Sequence, residues 1–86
     1  MSHNKEDLKN KIIYRATYRG TKEMDILMTA FVNSMIDELD EYYLKTLDLF
    51  INLDDETLIS LKKKESLNDY KDERMLHIID KFQKFD

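Results

Sequence analysis

The chain of 86 residues contains no proline and one glycine, Gly20. Proline and glycine are the strongest local breaks in regular structure, so almost nothing in this sequence interrupts a helix. Its apolar residues recur at intervals of three and four rather than two, which is typical of amphipathic helices. The sequence therefore predicts an all-α fold in which polar turns join the helices.

Five helices are predicted from this spacing and from the polar residues that precede each apolar stripe. The last connection, residues 62–69, is predicted to be a loop. Short connections between helices of this length favour a compact five-helix bundle. The expected helices cover about residues 5–18, 21–34, 41–51, 55–63 and 70–85.

Each predicted helix has one apolar face that we expect to lie inward. The methionines of the second helix also suit an adaptable binding surface, but their helical spacing favours the core. The expected inward residues are Leu8, Ile12, Ile13 and Ala16, then Met24, Leu27, Met28, Phe31 and Met35, then Leu44, Leu47, Phe50 and Ile51, then Leu58 and Leu61, and finally Met75, Leu76, Ile78, Ile79 and Phe82.

The third and fourth helices are predicted to begin with the same local pattern. Asp40 and Asp54 each have a leucine immediately before them and another four residues after them. An aspartate in this place accepts hydrogen bonds from N–H groups of the first turn, and the two leucines pack across the helix start. The acidic residues at 54–56 are therefore interpreted as capping groups rather than as a catalytic pair. The lysines at 62–64 suit the negative end of the fourth helix.

Length, charge and composition exclude several classes of protein. We expect one domain, residues 1–86, with residues 1–4 frayed. The net charge of -4, with both signs mixed along the chain, is unlike the broad positive surface of a nucleic-acid-binding protein. The absence of cysteine excludes disulfides, thiolate catalysis and zinc–thiolate sites. No apolar run approaches the ~20 residues of a membrane-spanning helix, so we expect no membrane insertion. The absence of cysteine fits a reducing cytoplasm, where we expect the protein to act as a monomer.

Candidate catalytic residues are few. Nucleophilic catalysis needs a serine, threonine or cysteine beside a positioned base, but His3 and His77 are the only histidines and His3 lies in the terminus. We therefore predict that the protein is not an enzyme. Glu73 and Asp80 flank His77 at helical spacing and could form half of a metal site, although charges spaced in this way are usually solvated. We therefore predict that these three side chains lie on a solvated surface and do not bind a metal.

The single glycine lies in the stretch YRGTKEMD, residues 18–25, between the first two predicted helices. Gly20 can take a positive φ, which permits a sharp turn, and its lack of a Cβ lets another backbone approach. Arg19 offers a planar fork suited to carboxylates, and Glu23 falls in the first turn of the second helix. Two interpretations remain open: Arg19 and Glu23 pair with each other at the surface, or both are exposed at a corner that binds a partner.

This Arg-Gly-x-x-Glu stretch, followed by an amphipathic helix and a Leu-Asp helix start, resembles the succinate dehydrogenase flavinylation factor family of FAD assembly factors. The resemblance covers about residues 11–82 and includes the two aspartates at 54–55. It implies a five-helix protein that binds the flavoprotein subunit of succinate dehydrogenase, a tricarboxylic acid cycle enzyme, and promotes covalent attachment of FAD to a histidine of that subunit. Some bacterial members of this family also serve fumarate reductase, so the resemblance implies that enzyme as a second client.

The resemblance also implies which residues contact the partner. It implies no catalytic residue and no cofactor of the protein's own, because the client flavoprotein binds the FAD. Relatives often have a tryptophan late in the fourth helix and a proline near its start, where this chain has Leu61 and Glu56. The alternative is a general helical adaptor whose Gly20 corner is only a helix junction. The expected partner-binding residues are Arg19, Gly20 and Glu23, extended by Arg15, Tyr18 and Asp25.

Overall fold

The prediction of an all-α bundle is confirmed in a computed structural model that describes residues 2–64 and 70–85. These residues form five α-helices, and a single 3₁₀ turn, Ile36–Glu38, follows the second helix directly. The helices are α1 (Ser2–Thr17), α2 (Lys22–Met35), α3 (Glu41–Ile51), α4 (Asp55–Lys62) and α5 (Glu73–Lys84).

The capping aspartates explain where the later helices begin. The side chain of Asp40 accepts a hydrogen bond from the backbone N–H of Tyr43, and Asp54 accepts one from Thr57. Both predicted helix starts are confirmed, because the caps supply partners for N–H groups that the helix itself cannot satisfy. The predicted start of α5, at residue 70, is too early. The helix begins at Glu73, because Asp72 caps it by accepting a hydrogen bond from the backbone N–H of Arg74.

Other boundaries differ in smaller ways. Helix α1 begins at Ser2 rather than near residue 5, and α4 ends at Lys62 rather than at residue 63. The 3₁₀ turn after α2 was not predicted. Of the predicted loop at 62–69, residues 65–69 lie outside the described part of the chain.

The core is formed by one face of each helix, as predicted. Three phenylalanines from α2, α3 and α5 meet at its centre, where Phe31 lies 5.9 Å from Phe50 and 5.2 Å from Phe82, measured between ring centroids. Leu76 is the exception among the predicted inward residues, at 36% exposed. It lies about 100° around α5 from Met75, which places it beyond the buried stripe. Val32 and Ile36 are buried residues that the prediction omitted.

The C-terminal ends of α4 and α5 are joined by reciprocal hydrogen bonds. Lys62 donates from Nζ to the carbonyl oxygen of Phe82 at 2.6 Å and also to that of Phe85. Gln83 returns a hydrogen bond from Nε2 to the carbonyl oxygen of Leu61 at 2.9 Å. Carbonyl groups in the last turn of a helix are poorly satisfied within it, and each of these two helices supplies a further donor to the end of the other.

Candidate functional site

The turn between α1 and α2, residues 18–21 and here called the Gly20 turn, depends on its glycine. Gly20 has a φ of 120°, which L-amino acids rarely adopt. No atom outside its immediate neighbours lies within 4 Å of the position where a Cβ would stand. The backbone of Gly20 therefore faces open space, and the predicted positive φ is confirmed.

Asp25 fixes the same turn from inside α2. Its Oδ1 accepts hydrogen bonds from the backbone N–H of Arg19 at 2.7 Å and of Gly20 at 3.3 Å. The N-cap residue Thr21 makes no capping bond with its side chain. A carboxylate one turn into the helix thus binds the chain that leads into it, and the helix dipole favours its negative charge.

The side chain of Arg19 points into the bundle, not out of the corner. It is only 9% exposed, whereas the sequence had suggested an exposed guanidinium. Its Nη1 donates to the carbonyl oxygen of Ile51, and its Nη2 donates to that of Leu53 at 2.5 Å and to Asp55 Oδ1 at 3.0 Å. The ion pair of Arg19 is therefore with Asp55 in α4, and the sequence-based alternative of a surface pair with Glu23 is wrong.

These contacts fasten the Gly20 turn to the α3–α4 turn, residues 52–54. Ile51 is the last residue of α3 and Asp55 the first of α4, so one guanidinium binds both ends of that turn. Hydrogen bonds from Thr57 lower the pKa of Asp54 below its ordinary value, and the positive charge of Arg19 adds a smaller effect in the same direction. The two turns consequently form one corner of the molecule.

Arg15 and Tyr18 occupy the last part of α1 and the residue beyond it. Arg15 Nη1 lies 2.9 Å from Asp48 Oδ1, an ion pair that joins α1 to α3 and leaves the arginine side chain 38% exposed. Tyr18 is 69% exposed and packs against Tyr14, with 4.8 Å between their ring centroids. Arg15 is thus partly committed to the fold, whereas the ring of Tyr18 is available to a partner.

The most accessible charged member of the predicted set is Glu23. It is exposed in the first turn of α2, beside Lys22, which is also exposed. The ion pairs found among residues 2–64 and 70–85 do not include Glu23. Its carboxylate can therefore accept a partner's hydrogen bonds without disrupting any ion pair within the described chain.

An open groove of 370 Å³ runs beside the Gly20 turn, between α1 and α2. Thr17 and Thr29 join the two helices at this groove through a hydrogen bond of 3.3 Å between their hydroxyl groups. Ile26 is 61% exposed there, and Asp25 lies both in the groove and in the turn. The groove gives the corner an apolar margin that the sequence analysis did not identify.

The pairing of Arg19 with Asp55 and the contact between Tyr14 and Tyr18 were also missed in the sequence. Asp55 had been explained by its place at a helix start, and no local pattern pairs it with an arginine 36 residues earlier. The i, i+4 spacing of Tyr14 and Tyr18 is a local signal and could have indicated their contact.

His77, which the sequence placed with Glu73 and Asp80, is an exposed residue of α5. Within the described residues, no group of three or more His, Cys, Asp or Glu side chains is placed to hold a metal ion. The imidazole of His77 lies edge-on to Tyr43, with 5.7 Å between ring centroids. No described helix is both long and apolar enough to cross a bilayer.

Comparison with known proteins gives one match. A family model described as flavinator of succinate dehydrogenase matches residues 10–83. No curated protein and no solved structure matches the chain.

Proposed function

The chain belongs to the flavinator of succinate dehydrogenase family, and from this premise we propose that it binds the flavoprotein subunit of that enzyme and promotes covalent attachment of FAD to it. The observation that carries the proposal is the position of the Arg-Gly-x-x-Glu stretch. It forms an exposed corner in which Gly20 has open space around it and Glu23 is exposed.

We call this surface the docking corner. Its exposed part is formed by Tyr18, Gly20 and Glu23, which offer an aromatic ring, an accessible backbone and a carboxylate. Beneath them, Arg15, Arg19 and Asp25 make hydrogen bonds within the bundle. A rigid corner of this kind suits docking, because little conformational freedom remains to be lost when the partner binds.

The proposed mechanism is assistance rather than catalysis. The bundle holds the flavoprotein subunit so that its bound FAD and its acceptor histidine stay aligned, and the chemistry belongs to that subunit. Alignment of reacting groups can lower a barrier by several kcal/mol without any chemical group from the helper. On this proposal the protein is not an enzyme and has no cofactor of its own, since the client carries the FAD.

Three further parts of the proposal concern its setting. Fumarate reductase, whose flavoprotein subunit would be approached in the same way, is proposed as a second client. The protein is proposed to act as a monomer, which keeps the docking corner free for the client. It is proposed to act in the cytoplasm.

The substitution Glu23→Ala tests the docking corner. We expect the fold to stay intact, because Glu23 is exposed, while affinity for the purified flavoprotein subunit falls roughly tenfold through loss of a partly desolvated carboxylate contact. In a deletion strain, the variant should restore less covalent flavin fluorescence on a denaturing gel than the wild type does.

The matched control is Glu41→Ala. Glu41 is also an exposed acid in the first turn of a helix, but it lies ten residues from the α3 end that reaches the corner, about 15 Å along the helix. It should leave binding and flavin attachment unchanged. A deletion strain whose flavoprotein already shows normal covalent flavin would contradict the proposed function itself.

A further inference from the structure

We propose that Arg19 is a positioning residue of the docking corner. Its guanidinium holds the Gly20 turn against the α3–α4 turn and so sets the shape of the surface that the client meets. Contact with the client then falls to the exposed residues around Gly20. This inference rests on the proposed function. It means that the side chain of Arg19 acts within the bundle and does not contact the client.

Most of the donors of the Arg19 guanidinium are already occupied. Four of its hydrogen bonds are already made within the bundle: Nη1 to Ile51, Nη2 to Leu53, and both Nε and Nη2 to Asp55 Oδ1, the Nε bond at 3.3 Å. A guanidinium has five N–H donors, so little capacity remains for a partner. A client carboxylate would have to displace Asp55 from a group that is only 9% exposed.

The same hydrogen bonds stabilise the α3–α4 turn. The carbonyl of Ile51 belongs to the last turn of α3, where it lacks a helical partner and where a positive charge is favourable. Asp55 begins α4 and gains a counter-ion. Without Arg19, the two carbonyl groups and the Asp55 carboxylate lose their shared donor, and the Gly20 turn and the α3–α4 turn lose the side chain that joins them.

The backbone of Arg19 is held by a different helix from the ones that its side chain binds. The N–H groups of Arg19 and Gly20 both donate to Asp25 in α2. Arg19 therefore joins α2 through its main chain to α3 and α4 through its side chain. The orientation of Gly20 and of the adjoining first turn of α2, which carries Glu23, depends on both attachments.

It follows that Asp55 affects docking without touching the client. The test is a double-mutant cycle with Arg19→Gln, Asp55→Asn and the double variant, measured as the dissociation constant for the purified flavoprotein subunit. Each single variant should weaken binding about tenfold, and the double variant should be no weaker than the worse single variant. Covalent flavin yield should return to the wild-type level when the variant is added in excess, because the defect lies in affinity.

Direct contact between Arg19 and the client predicts a different result. In that case Arg19→Gln weakens binding while Asp55→Asn leaves it unchanged, and this outcome overturns the proposal. Arg19→Lys retains the charge but not the fork and should bind with intermediate affinity. Met75→Ala controls for lost stability, since it opens the core on α5 and should lower the melting temperature without changing the affinity of the folded protein.

A second measurement needs no client and separates failure of the inference from failure of the proposed function. In the free protein, Asp55→Asn should shift the amide resonances of Arg19 and Gly20 and speed their hydrogen exchange, although these residues lie 36 and 35 positions away in the sequence. Unchanged amides would overturn the positioning role whatever the client does. If the amides change but wild-type protein does not bind the subunit, the proposed function fails and the link from Arg19 to docking fails with it.

Discussion

At the scale of single residues, the docking corner depends on backbone geometry at Gly20. Its φ of 120° is a conformation that side chains with a Cβ avoid, yet the space around the missing Cβ is empty. The positive φ of Gly20 and the empty space beside it are therefore separate properties. The fold requires the backbone conformation, whereas the empty space is available to a partner.

This separation gives a prediction for Gly20→Ala and Gly20→Arg. Both should lower the free energy of unfolding by a similar amount, roughly 1–3 kcal/mol, because both force a side-chain-bearing residue into the same strained backbone. Only the arginine should add an obstruction, so it should weaken client binding well beyond the alanine. Thermal unfolding and a binding titration measure the two effects.

Thr21→Ala is the control for these variants. Thr21 is the neighbouring exposed residue and its side chain makes no capping hydrogen bond, so its removal should change stability by only a few tenths of a kcal/mol. If Gly20→Ala were equally harmless, the positive φ would not be required by the turn.

At the scale of helices, the structure depends on how the end of each helix is capped, either by its own residues or by a residue of another helix. Asp40 and Asp54 cap their own helices, and this arrangement was readable from the sequence. Lys62 had been explained by the dipole of α4, but its ammonium group instead binds the carbonyl oxygens of Phe82, in the last turn of α5, and of Phe85, just after it. Its Nζ also lies 4.9 Å from the centroid of the Phe82 ring.

Lys62→Met tests this contact between helices. Methionine keeps the apolar length of the side chain but removes the donor, so we expect a loss of roughly 1–2 kcal/mol in the free energy of unfolding, since hydrogen bonds from charged groups are stronger than neutral ones. The amide protons of the last turn of α5 should also exchange faster. Chemical denaturation and hydrogen exchange measure these effects.

Lys63→Met is the matched control, because Lys63 is the next residue and is exposed. Its replacement should leave the exchange of the α5 amides unchanged. Equal effects from both variants would show that net charge, rather than the contact with α5, accounts for the loss.

At the scale of the whole molecule, stability depends on one small core. The rings of Phe31, Phe50 and Phe82 meet there with centroid distances of 5.1 to 5.9 Å, and each is at most 1% exposed. Because α2, α3 and α5 each contribute one ring, the cluster connects elements that are distant in sequence.

Phe31→Ala should therefore destabilise the whole bundle and not one helix. A loss of about 3–5 kcal/mol is expected for a buried phenylalanine, a large share of the total stability of a domain this small. Circular dichroism should show a single unfolding transition at a lower temperature. Leu49→Ala, at a side chain that is 63% exposed on α3, should cost far less; comparable losses would mean that the aromatic cluster is not the centre of stability.

Most of the fold was predictable because it follows from local patterns. The bounds of α3, the caps at Asp40 and Asp54, and most of the inward faces were correct, since each depends on residues within about one turn of each other. The start of α5 was missed because both Asp69 and Asp72 precede it in the sequence, with Lys71 between them. Only the geometry shows that Asp72 makes the cap.

The sequence alone determined that this chain is an all-α bundle with a sharp turn at Gly20 and an Arg-Gly-x-x-Glu corner. Helical periodicity, capping residues and a lone glycine act through short distances along the chain, so no tertiary information was needed. Only the tertiary structure decided that Arg19 turns inward to Ile51, Leu53 and Asp55 while Glu23 stays exposed. A long, flexible cation takes the acceptors that folding brings near it, and those acceptors lie more than thirty residues away.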